Sequence, residues 1–178
     1  AADMNKEPSP ISEDAYQSHQ MRIATNDPTT MVLKTHLLTE NFMDRVVALF
    51  LSRGDKMVQF GNLTYDQKIV LVESFDYVPD FLMQSLKNLQ EIRDRCARDL
   101  DHHVTASDVQ YIGSPLGKYY TQIKREHKDD IKECLSHIFV IITAGWTGVI
   151  DNLETEEVGE QADVEEEILK QMDNPATT

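Results

Sequence analysis

Between Glu91 and His103 the sequence reads EIRDRCARDLDHH, which sets Arg93, Arg95 and Arg98 among four acids and two histidines. A guanidinium steadies phosphoryl charge, an imidazole moves protons near neutral pH, and a carboxylate orients either one, so these residue types suit phosphodiester chemistry. The stretch is thus a candidate catalytic centre, a candidate metal site or the solvated end of a helix. Carboxylates and imidazoles over Asp99 to His103 also suggest a metal-dependent phosphoesterase. Such centres draw further ligands from several strands, however, and the sequence offers no strand pattern. Gly113-Ser114-Pro115-Leu116-Gly117-Lys118 resembles a phosphate loop only superficially. It has three residues between its glycines instead of four, Tyr119 after the lysine, and no strand before it.

Arg93 raises a question of placement. On an ideal helix it falls about 40° from the line through Leu89 and Cys96, inside an apolar face. A guanidinium there costs several kcal/mol to desolvate unless an anion meets it. Glu40 is the expected partner, with His36 one turn before it, giving a structural polar network of His36, Glu40 and Arg93. Snorkelling of Arg93 to the bundle end remains the alternative. His19, His127 and His137 have no partner at close spacing and read as surface or helix-packing residues.

The elements that must position these side chains are helical. Ser9-Pro10 opens a helix to about Ala24. A long helix follows over 30–52, its expected core face being Leu38, Phe42, Val46, Leu49 and Phe50. Gly54 and Gly61 bracket a polar connection. Thr64-Tyr65-Asp66-Gln67 has the form of a capping box and starts a short helix to about Phe75. A helix over 80–101 carries Leu82, Leu86, Leu89, Cys96 and Leu100 on one face. Thr105 to Asp108 caps a short helix that Gly113-Ser114-Pro115 ends. The last helix is expected over 116–153, with Tyr120, Ile123, Ile131, Cys134, Ile138 and Trp146 facing inward. No alternating β pattern and no internal repeat is visible. The fold class is therefore all-α, an antiparallel helical bundle of about five or six helices.

The totals agree with one core. A chain of 178 residues matches a single domain, and seven glycines with six prolines are few for an all-β protein of that length. We divide it into a flexible N-terminal tail over 1–9, one bundle domain over 10–153 and an acidic C-terminal tail over 154–178. Of the net charge of −14, the segment 151–178 holds −9. That balance speaks against a general nucleic-acid binder, which needs a basic stripe. Cys96 and Cys134 lie inside apolar patterns without partners at ligand spacing, so neither a disulfide framework nor a metal site is expected, and no cofactor. The longest strongly apolar run, Ile138 to Trp146, is short for a bilayer and the N-terminus has no secretory run. A cytoplasmic protein without membrane contact is expected.

Three segments in order carry a family resemblance: Leu33-Lys-Thr-His36-Leu-Leu-Thr-Glu40, Leu63-Thr-Tyr-Asp-Gln-Lys68, and Leu89-Gln-Glu-Ile-Arg93-Asp94-Arg-Cys-Ala97-Arg98-Asp99-Leu100. Over about residues 30 to 110 the chain resembles the small bacterial helical proteins of the HEPN superfamily and the mannitol operon repressor family. For an active member the resemblance implies a metal-independent ribonuclease at a dimer interface. There the arginine steadies the scissile phosphate, the next polar residue orients it, and a histidine moves protons around a ribose 2′-hydroxyl. Arg93 and Asp94 match the first two. The histidine position holds Arg98, which stays protonated at neutral pH and cannot act as a base. A shifted match, Arg98-Asp99 with His102 or His103, moves the arginine about 140° round the helix. The resemblance thus implies a non-catalytic helical binding or regulatory module, a homodimer with a possible protein partner. A ribonuclease acting on RNA, with Arg93, Asp94, His102 and His103 as its candidate catalytic residues, and a transcriptional regulator of the mannitol operon repressor type are its alternatives.

Overall fold

The computed structural model describes residues 27–173, and side chains as far as Glu156. The helix expected over 10–24 lies outside the described residues. Within them the chain is all-α, a helical bundle of seven α-helices, and no strand occurs among the described residues. The helices are α1 (Pro28–Phe50), α2 (Gly54–Phe60), α3 (Tyr65–Ser74), α4 (Asp80–Arg98), α5 (Ala106–Gly113), α6 (Lys118–His127) and α7 (Ile131–Asp173); a 3₁₀ turn, Ser114–Leu116, joins α5 to α6.

Local chemistry starts most of them. Asp27 caps α1, its carboxylate accepting from the Thr29 and Thr30 amides, with Pro28 in the first turn. Thr64 and Gln67 form the expected capping box at α3, and Thr105 with Asp108 forms a second at α5. α4 ends at Arg98 rather than near 101, because Asp99 turns extended and its carboxylate accepts from the Asp101 amide. Leu100, expected on the apolar face, is therefore 99% exposed.

Two further expectations change. The connection after Gly54 is itself helical, as α2. The helix expected over 116–153 is two helices that meet at a corner. Lys128 has φ 52°, and Asp130 then caps α7 by accepting from the Glu133 amide at 3.0 Å. α7 itself continues helical through the acidic segment to Asp173.

The core lies where α7 passes the other helices. Leu135, Ile138, Phe139, Val140, Ile142 and Trp146 are all fully buried. By length and composition alone Ile131–Glu156 could cross a membrane, with mean hydropathy 1.5, yet half of its apolar 18-residue window is buried inside the bundle. On α1 the buried face is Met31, Val32, Thr35, His36, Thr39, Met43, Val46 and Val47. Of the expected stripe only Val46 is fully buried, and Phe50 is exposed. The inward face takes in His36 and Thr39, which find polar partners in Gln90 and Tyr65, and Thr35, whose hydroxyl is buried without a hydrogen bond among the described residues.

α1 and α4 run antiparallel, and α7 lies along α1 in the same direction. Phe42 stacks with Trp146 and Arg45 meets Glu154 at 2.7 Å further along both helices. α5 packs on α4 and α7, and α6 on α7.

Candidate functional site

The candidate residues gather where the C-terminal half of α4 passes the first half of α1. His36 is buried there, 5% exposed, and its Nε2 shares a hydrogen bond with Gln90 Oε1 on α4. Its ring stacks on Tyr65, the first residue of α3, with centroids 4.0 Å apart. The Tyr65 hydroxyl shares a 2.8 Å bond with Thr39 Oγ1, which also donates to the His36 carbonyl at 2.8 Å. Burial pushes the His36 pKa below its ordinary value and the Arg93 charge adds to that, against a partial offset from Gln90, Glu40 and Asp94. The imidazole is thus held neutral. Burial also drives the Tyr65 phenol far above its usual range.

Glu40 meets a cation, but not the expected one. Lys68 Nζ lies 2.9 Å from Glu40 Oε1 and 2.8 Å from Asp44 Oδ1, with its side chain only 11% exposed. Burial works against the Lys68 charge, but the two carboxylates outweigh it and raise its pKa. The cation comes from the segment that the sequence marked as a capping box and as part of the family resemblance, because Lys68 is one turn in from the Thr64 cap.

Arg93 keeps 40% of its side chain exposed and donates to Asp94 Oδ1 at 3.0 Å. Asp94 also faces Arg98, 3.6 Å away and 81% exposed. His36, Glu40 and Arg93 therefore share one neighbourhood, since Glu40 and Arg93 both act on the His36 charge. Their hydrogen bonds run instead to Gln90, Lys68 and Asp94. Arg93 reaches the rim by its long stem, which removes the need for a buried anion.

The two histidines differ. His103 is exposed. His102 is half-buried, its Nε2 3.1 Å from Asp108 Oδ2. Asp108 is itself 3% exposed and also receives Arg95 Nη1 at 3.2 Å and the Thr105 amide at 3.0 Å. Arg95 and Asp108 form a further ion pair that sequence reasoning missed. Its one visible signal was the capping box, whose carboxylate has a second oxygen free to take up cations from the end of α4.

Chemically the region offers two guanidiniums, Arg93 and Arg98, at a surface where an anion could reach them. Of the imidazoles, His36 shares the neighbourhood of Arg93 but is interior and stacked on Tyr65, and His102 is held by Asp108 on the α5 side. No protein-family model, no curated protein and no solved structure matches the chain.

Proposed function

We propose that the protein is a non-catalytic, HEPN-like helical binding or regulatory module that acts as a homodimer in a bacterial cytoplasm. One observation carries this reading: Asp94 is bracketed by Arg93 and Arg98, so a second guanidinium stands at the position that an active member of the family would give to its histidine. A guanidinium pair can grip a phosphate or carboxylate without turning it over. The exposed apolar side chains Leu37, Phe60 and Val70, 61%, 64% and 66% exposed, are available to a partner surface.

The test is cleavage of single-stranded RNA by the purified full chain in EDTA, with sedimentation velocity for the oligomer. A dimer with no cleavage above that of an Arg93→Ala variant is expected. Cleavage in EDTA that Arg93→Ala or His103→Ala abolishes overturns the reading and establishes the ribonuclease. A monomer at micromolar concentration removes the dimer from it.

A further inference from the structure

The corner between α6 and α7 brings together three side chains that the sequence holds apart. Had the segment run as one helix, His127 and His137 would stand about 15 Å apart along its axis. Instead the chain turns at Lys128, and the two imidazole rings come within 4.2 Å of each other, centroid to centroid, tilted by 33°. Glu133 lies one turn before His137 on the same face of α7. The potential donor atoms of His127, Glu133 and His137 all fall within 4.8 Å of one another.

We propose that His127, Glu133 and His137 form a binding site for a divalent transition-metal ion of the zinc class. Two imidazoles with one carboxylate are a donor set that zinc, and cobalt in its place, accepts, leaving a fourth position to water. Tetrahedral ligands at bonds of about 2.0–2.1 Å stand roughly 3.4 Å apart. Closing from 4.8 Å to that spacing takes small rotations of the side chains, which the exposed Glu133 is placed to make most easily.

Two details of the rings point the same way. His137 Nδ1 lies 2.8 Å from the Glu133 carbonyl, which can only accept, so Nδ1 carries the proton and Nε2 presents its lone pair. That is the arrangement in which metal-bound histidines are held. His127 Nε2 is buried and has no hydrogen-bond partner among the described residues; the Glu126 carboxylate stops 3.9 Å away. A buried ring nitrogen without a partner is costly, and an ion between the two histidines supplies one. The ion would pin the end of α6 to the first turns of α7.

The experiment uses the full chain, free of any affinity tag and stripped with EDTA. Cobalt(II) is titrated while its visible absorption is followed, and zinc(II) by competition with a chromophoric chelator. Tight uptake of one ion is expected, with the intense bands of a tetrahedral cobalt site. His137→Gln and His127→Gln should each weaken zinc binding by about 100-fold, and Glu133→Gln by roughly 10-fold. Glu133→Gln leaves the core untouched, so it tests the site even if a histidine variant fails to fold. Zinc uptake equal to wild type in Glu133→Gln and in either folded histidine variant, or no uptake at 100 micromolar zinc, overturns the proposal.

Discussion

The His36 imidazole lies almost flat on the Tyr65 ring, with centroids 4.0 Å apart and planes 22° from parallel. The contact joins α1 to the first residue of α3, and the Tyr65 hydroxyl ties back to Thr39 one turn later on α1. A protonated ring in this buried place would lose solvation, which is why its pKa falls below 6.5. The unfolded chain then takes up the proton first as pH falls. The contribution of His36 is complete above about pH 6.5 and is lost as pH drops from there through the lower folded value. Melting temperature should therefore fall more steeply between pH 7 and pH 5 in the wild type than in His36→Gln. Parallel curves for the two proteins would contradict it.

Arg93→Met should cost less than about 1 kcal/mol in urea unfolding, the range of an exposed ion pair. Glu40 keeps Lys68 whether or not Arg93 is present, so no buried acid is orphaned. A loss of 3 kcal/mol or more would mean that Arg93 and Glu40 depend on each other after all.

Lys68 is where that larger penalty belongs. Its ammonium group separates Glu40 from Asp44, one turn apart on the same face of α1. Lys68→Met leaves two half-buried carboxylates facing each other and should cost about 2 kcal/mol, discounted from a fully buried pair because both acids keep some water. Adding Glu40→Gln to that variant should recover much of the loss in a double-mutant cycle. An additive cycle would show that Lys68 and Glu40 are not coupled in stability.

These assignments show what the sequence could and could not convey. Capping boxes are local, so Thr64 with Gln67 and Thr105 with Asp108 were legible from spacing alone. The break after His127 was missed: Asp130 and Glu133 have a cap spacing, but the apolar run beyond them favoured one unbroken helix. Partner choice was not legible. Arg93 sits near an apolar line, and angular position cannot say whether a long stem carries the charge to the rim. Nor could periodicity reveal that His36 and Thr39 face inward on α1, because their polar partners, Gln90 and Tyr65, lie on other helices.

Asp108 carries more connections than its place in a cap suggests. Its carboxylate serves the Thr105 amide, Arg95 and His102 at once while 3% exposed. Asp108→Ala should lower stability by about 2 kcal/mol, the sum of a lost cap and a lost charge-assisted bond. Thr105→Ala removes the cap alone and should cost about half as much. Thermal unfolding of the two variants separates the terms; equal losses would assign the whole effect to the cap.

Two glycines give opposite expectations from the same substitution. Gly54 begins α2 directly after α1 and is buried, and a Cβ there would stand 1.9 Å from the Val47 carbonyl oxygen and 2.7 Å from its carbon. Those are backbone atoms, so no side chain can rotate away; the corner between α1 and α2 must open. Gly54→Ala should cost about 2–3 kcal/mol, as overpacking does. Gly148, inside α7, has nothing within 4 Å of the same position. There the added methyl meets open space and only the backbone entropy of glycine is removed, so Gly148→Ala should stabilise the protein by about 0.5–1 kcal/mol. Urea unfolding of the pair decides the matter, because a Gly54→Ala protein as stable as Gly148→Ala would mean that α2 does not press against α1 as closely as the corner geometry requires.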